Sequence, residues 1–347
     1  MSLSKIIAFI ALMLSPSVAR AEWREASTPH FLIYSQGTEK SLRQRAERLE
    51  AVHYLMLRAD GLQEELHPYK VRIYVVRDTD AVQRLMSKPN PEVAGFYQPR
   101  PEGSVVFTPE NTADSGSSFA QIVLFHEYAH HFMLQNFPAA YPSWFVEGRA
   151  ELVSTASFEK PGVITYGKVA DHRGYEIQSD TISPTKMVVA EPVEKKGFST
   201  LSYGASWLMT HYLTFSTERS GQLATYLQAF NGGASMTDAA KTFGDPRQFD
   251  HDVLRYLRAA KFSYRQVPIP PEIGQKVTFR ILSADEAAML PLAMEATKTM
   301  EKAQATAFAA RVTAAAAQHP DSVFAQQLLA EVQLEAGELD AAGKTAD

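Results

Sequence analysis

Hydrophobic alternation and helical periodicity divide the chain into short strands and longer amphipathic helices. After His30, the run Phe-Leu-Ile-Tyr-Ser35 reads as a strand. Lys40 to Ala59 puts Leu42, Ala46, Leu49, His53 and Met56 on one helical stripe, and Gly61 is placed to close that helix. On such a stripe His53 is expected to pack in the core. Lys70 to Val76 alternates, with Val71, Ile73 and Val75 on one face, and Asp78 or Asp80 can cap a short helix through Met86. Val93 to Gln98 and Ser104 to Thr108, joined by Pro-Arg-Pro-Glu-Gly, predict two paired strands. A polar loop over 111–118 follows, where Ser117 or Ser118 can cap an apolar helix over Gln121 to Leu134.

Asn136-Phe137-Pro138 ends that helix, and Pro142 suits the first turn of the next. From Phe158 to Phe198 the pattern is irregular, with a strand expected at Gly162 to Tyr166, a turn over 171–174 and a short helix at Lys186 to Ala190. Glycine and proline signals then separate helices at Leu201 to Phe215, Gly221 to Phe230, Met236 to Phe243 and Pro246 to Ala260. Val267-Pro-Ile-Pro-Pro271 reads as a hinge and domain boundary. Lys276 to Leu282 reads as one strand, and from Ser283 onward the chain is alanine-rich and helical. The class expected is α+β: a small mixed sheet near the N-terminus, a mostly helical lobe, then a helical segment. The expected divisions are 22–265 for the first domain, 266–282 for linker and strand, and 283–347 for the helices.

Composition adds a destination. Lys5, nine apolar residues from Ile6 to Leu14, and Ala19-Arg20-Ala21 form the three parts of a secretory signal peptide over 1–21, with cleavage before Glu22. Nine apolar residues are too few for a bilayer, which needs about 20. The expected location is therefore periplasmic or extracellular, with no membrane span after cleavage. The chain has no cysteine, which excludes a disulfide framework. Its formal charge of −5 becomes −7 once Lys5 and Arg20 are removed, because 1–21 holds no acidic residue. No basic run stands out, so a nucleic-acid partner is not expected.

The chemistry concentrates in the apolar helix. His126, Glu127 and His130 follow the order H-E-x-x-H. Residues i and i+4 on a helix lie about 5–6 Å apart at Cβ, so both imidazoles can close on one metal, with Glu127 beside them as base. Apolar neighbours on both sides argue for burial, and buried ionisable groups need a partner. Glu147 and Glu151 follow on the next helix, four residues apart on a shared face. A hydrolytic zinc takes three protein ligands and keeps an open position. Glu147 is the expected third ligand. Glu151 is the expected carboxylate on the far nitrogen of a ligand histidine, and the reversed assignment stays open.

These motifs resemble those of the gluzincin peptidases, the clan of thermolysin and the aminopeptidase N-like enzymes. Sixteen residues separate His130 from Glu147, and Trp144-x-x-Glu147-Gly148-x-Ala150 is similar to the clan's second motif. The bacterial peptidase MA-like domains of unassigned substrate resemble the stretch from about Glu22 to Ala260 still better. The resemblance implies a zincin-like fold, one Zn2+ per chain, and Glu147 as third ligand. It also implies that Tyr203, at the start of a helix, stabilises the oxyanion. A further implication is that Ala94, Gly95, Phe96 and Tyr97 form an edge strand to which a peptide adds. The clan's G-x-M-E-N motif for a substrate amine is absent, so an aminopeptidase is not expected. Pro320 to Ala342 resembles one tetratricopeptide repeat, a helix pair that suits a protein partner.

The function expected is a secreted zinc metallopeptidase acting on a peptide or protein substrate, with Glu127 as general base. Two alternatives are an envelope scaffold with a structural or vestigial zinc site, and a zinc hydrolase of a non-peptide amide. His172 is a second candidate oxyanion donor in the irregular stretch. His131, about 100° from the ligand face, is expected to be structural.

Overall fold

In the computed structural model, the residues described are 22–65, 68–90, 93–100, 102–110, 119–178, 183–191, 194–195, 198–199 and 202–346. The segment 1–21, expected to be a signal peptide, and the serines expected to cap the apolar helix lie outside them.

Period-two alternation builds the main sheet. Its strands are β1 (Arg24–Ser27), β2 (Phe31–Ser35), β3 (Val71–Val76), β4 (Phe96–Gln98) and β5 (Val105–Pro109), together with a late strand, Thr278–Ile281. The order runs from that late strand through β1, β2, β3 and β5 to β4, with β2, β3 and β5 parallel and the remaining pairs antiparallel. Ile33, Ile73 and Val106 belong to one hydrophobic cluster, and their neighbours Tyr34, Tyr74 and Phe107 to another. Successive side chains of a strand leave on opposite faces. The aromatic face stacks across strands, Tyr34 on Tyr74 at 5.4 Å, Tyr74 on Phe107 at 5.1 Å and Phe107 on Phe96 at 4.7 Å between centroids.

Both faces are covered. On the first lie α1 (Glu39–Asp60) and α3 (Phe119–Asn136). Thr38 caps α1 through Ser41 N–H, Gly61 ends it at φ 69°, and the five stripe residues predicted are all buried. Against the aromatic face pack Val82 of α2 (Thr79–Leu85), which Asp78 caps, and Leu290 and Met294 from a helix after residue 283.

Helix α4 (Ser143–Ser154) follows α3, with Pro142 just before it rather than inside its first turn. A second sheet joins β6 (Ser157–Lys160) to β7 (Val163–Tyr166). Short helices α5 (Gly174–Gln178) and α6 (Pro184–Val189) and a two-residue ribbon, β8 (Glu194–Lys195) with β9 (Phe198–Ser199), lead into α7 (Tyr203–Phe215). Helices α8 (Gln222–Asn231), α9 (Met236–Ala239) and α10 (Pro246–Ala259) complete the lobe. The chain then ends in α11 (Ala284–Ala296), α12 (Lys302–Ala316), α13 (Val323–Ala336) and α14 (Leu339–Ala346).

The sheet is mixed and the fold is α+β with a helical C-terminal part, as expected. The stretch read as a hinge is more ordered than its prolines suggest. Arg265–Pro268, β10, pairs antiparallel with β7, and Thr278–Ile281, β11, pairs with β1. Pro268 sits at the last position of β10, which is a sheet edge that tolerates a missing N–H. The terminal helices also touch the main sheet's edge: Gln98 and Arg100 donate to the Thr297 carbonyl at 2.8 and 3.1 Å. No helix among the described residues is long and apolar enough to cross a membrane.

Candidate metal centre

Helix α3 buries Leu124, Phe125, Tyr128, Ala129 and Phe132 and turns His126 and Glu127 towards a cleft, with His130 one turn on beside His126. Helix α4 brings Glu147 to the same place. It can do so because Gly148 lets α4 lie directly on α7: a Cβ there would collide with the Ser206 carbonyl and the Thr210 hydroxyl. Trp144 and Ala150 are buried on either side of it, Trp144 against Tyr226 of a later helix at 5.8 Å between centroids.

The three expected ligand atoms converge. His126 Nε2 lies 3.1 Å from His130 Nε2 and 3.2 Å from Glu147 Oε2, and His130 Nε2 lies 3.5 Å from that oxygen. A tetrahedral ion with bonds of about 2.0–2.1 Å has ligand atoms about 3.3–3.4 Å apart. Among the described residues Glu147 Oε2 is buried with no well-formed hydrogen bond, and the two ring nitrogens face it. Burial alone would raise the Glu147 carboxyl, but the two histidines outweigh it and hold it at about 2. Around His126, burial favours the neutral ring, and Glu147, Glu151 and Glu127 together outweigh that preference. Three carboxylates around two imidazoles form a pocket that favours a cation.

Glu151 is fully buried and stands behind His126, with Oε1 3.3 Å from Nδ1. His172 Nε2 meets its other oxygen at 2.8 Å, and Arg173 donates to Oε1 from Nε at 3.0 Å and from a terminal nitrogen at 2.8 Å. Burial would raise this carboxyl; His126, His172 and Arg173 instead hold it far below the usual range. With its oxygens engaged away from the three converging atoms, Glu151 sits where a ring-orienting carboxylate belongs.

Glu127 lines a cleft of about 500 Å³ together with Ala94, Gly95, His126, Arg173 and Tyr203. Burial pushes its carboxyl up, against the pull of His126 and His130, and the Tyr97 backbone N–H hydrogen bonds to it. The edge segment is shorter than predicted. Only Phe96 and Tyr97 are in β4, which is the sheet's outer strand, while Ala94 and Gly95 precede it. Gly95 is pressed onto α3, where a Cβ would strike Val123 and the Phe107 carbonyl, so the backbone there bends along the helix instead of continuing the strand.

Tyr203 is the first residue of α7, whose N-cap Ser202 accepts from Ala205 N–H. Its ring centroid is 6.2 Å from that of His126, and the Arg173 guanidinium covers it at 4.7 Å. Burial and the nearby Glu147 push its hydroxyl up to about 12, so it stays a proton donor. Glu176 fixes this helix start, accepting from Ser202 Oγ and Gly204 N–H, both at 3.0 Å. The sequence does not point to Arg173 or Glu176. They lie in the irregular stretch, where the only signal is a histidine beside an arginine. His131 packs on Tyr97 and Tyr128 away from the ligand atoms. His211 is buried with Nε2 on the Gly167 and Ser263 carbonyls.

Compared with known proteins, the chain matches no family model and no curated protein.

Proposed function

We infer that the chain is a zinc-dependent metallopeptidase of the gluzincin type, exported by its N-terminal signal. The observation that carries this reading is the convergence of His126 Nε2, His130 Nε2 and Glu147 Oε2 within 3.1–3.5 Å, beside the partly buried Glu127, which is not one of the converging groups. These three residues would hold the ion. Bound zinc supplies a Lewis acid that polarises a carbonyl and lowers the pKa of water towards about 7.

The chain's own residues do the rest. Glu127, with its proton affinity raised by burial, takes the proton of the attacking water and passes it to the leaving amine. The Tyr203 hydroxyl donates to the developing oxyanion; one such donor is worth about 2.7–4 kcal/mol. Glu151, locked by Arg173 and His172, keeps the His126 ring turned so that Nε2 faces the cleft. The β4 edge offers main-chain groups to an extended peptide, the ordinary mode of strand addition. The intact base favours an enzyme over a scaffold, because a structural site has no need of Glu127.

The test is metal content by plasma mass spectrometry, wild type beside Glu147→Ala, followed by a peptide-library digest. Bound zinc that the variant loses, with peptide cleavage by the wild type alone, is the expected result. A zinc content in Glu147→Ala equal to that of the wild type would move the third ligand elsewhere. A wild type that takes up no zinc at this centre would remove the enzyme reading.

A further inference from the structure

A second histidine–carboxylate group lies on the opposite side of α3 and takes no part in the reaction above. His30 directly precedes β2, His53 is in α1, and Glu64 lies just beyond the Gly61 cap of that helix. Glu64 Oε1 is 2.8 Å from His30 Nε2 and 3.2 Å from His53 Nε2, and the two rings stack at 3.9 Å between centroids. The three ligand atoms all lie within 4.8 Å of one another.

The far nitrogens are also committed. His30 Nδ1 is 2.8 Å from Glu50 Oε2, a carboxylate only 5% exposed, and His53 Nδ1 is 2.5 Å from the Tyr128 hydroxyl. A carboxylate only accepts, so the His30 Nδ1 proton points at Glu50. The neutral ring then turns the Nε2 lone pair on an oxygen of Glu64, which is repulsive unless a cation sits between them. That cation is either a second proton or a metal. A carboxylate behind one imidazole and a hydroxyl behind the other are the usual supports of metal-binding histidines. Two imidazoles and one carboxylate are a donor set suited to zinc. The half-exposed Glu64 leaves the remaining positions to water.

We propose that His30, His53 and Glu64 form a second zinc site, which ties the start of β2 to α1 and, through Tyr128, to the back of α3. The site does not depend on the peptidase reading.

The experiment titrates Zn2+ into the purified chain carrying His130→Ala and Glu147→Ala, against a chromophoric chelator at pH 7.5. One equivalent is expected to bind. Adding Glu64→Ala should weaken it at least about tenfold, and Glu50→Gln about 10–100-fold, the range for supports behind a ligand. Adding His53→Ala should abolish it. Glu64 is half exposed in the irregular segment after α1, so circular dichroism of Glu64→Ala should match the parent, which keeps the test valid if His53→Ala misfolds. No zinc bound by the parent, or binding that neither Glu64→Ala nor Glu50→Gln weakens, overturns the proposal and leaves a proton-bridged pair. The wild-type stoichiometry separates the two centres: two equivalents if both hold, and one if either fails, with the variants showing which.

Discussion

Across α3, His126 and His130 face Glu147 on one side, while His53, joined by His30, faces Glu64 on the other. Both groups bring two Nε2 atoms to one carboxylate oxygen. At the first, that oxygen is buried and lacks a well-formed hydrogen bond, a second carboxylate, Glu127, directly follows His126 in the chain, and a cleft opens beside it. At the second, the carboxylate is half exposed, and the residue at the helix face is a tyrosine bonded to a ring nitrogen. Ligand type alone therefore does not tell the two groups apart. Glu127, a carboxylate beside the three converging atoms and not among them, distinguishes the first group from the second.

The sharpest way to break this contrast is Glu127→Gln. It should keep its zinc and lose turnover by about 10²–10⁴-fold in a peptide-cleavage assay; near-normal turnover would reduce the first group to the status of the second. Next is Tyr203→Phe, expected to bind zinc normally with kcat lower by about 10²–10³-fold, read by steady-state kinetics. Glu151→Gln should weaken zinc affinity by about 10–100-fold in a chelator competition, because the His126 ring loses its support. The smallest effect belongs to Tyr128→Phe, the same atomic deletion made on the other side of the helix. Losing its hydrogen bond to His53 should cost about 0.5–1.5 kcal/mol by urea denaturation and leave kcat at the wild-type level.

Much of the first centre was legible in the sequence because its parts are local. His126, Glu127 and His130 share one helical turn, and Glu147 and Glu151 another, so i,i+4 spacing alone brings each set to one face. The long helix α1 was legible for the same reason, through its stripe and its glycine cap. What stayed hidden is set by distant partners. Strand β1, Arg-Glu-Ala-Ser, has no alternation to read, and pairing with β2 and β11 makes it a strand. Arg173 and Glu176 lie in a stretch without periodicity; Arg173 takes its role from Glu151 on α4, and Glu176 from the start of α7. His53 read correctly as a buried helix residue. Its group with His30 and Glu64 could not be read, because a strand, a helix and a turn must first fold back on one another.

The late strand β11 has a consequence for how the molecule is made. Glu25 and Arg280, joined across the β1–β11 edge, stand 255 residues apart in the chain. A ribosome feeding the N-terminus first therefore leaves one side of β1 without its neighbour until most of the polypeptide has emerged. Unpaired strand edges invite pairing with other chains, and distant pairings form slowly. Chaperone demand during synthesis should thus fall on the first strand.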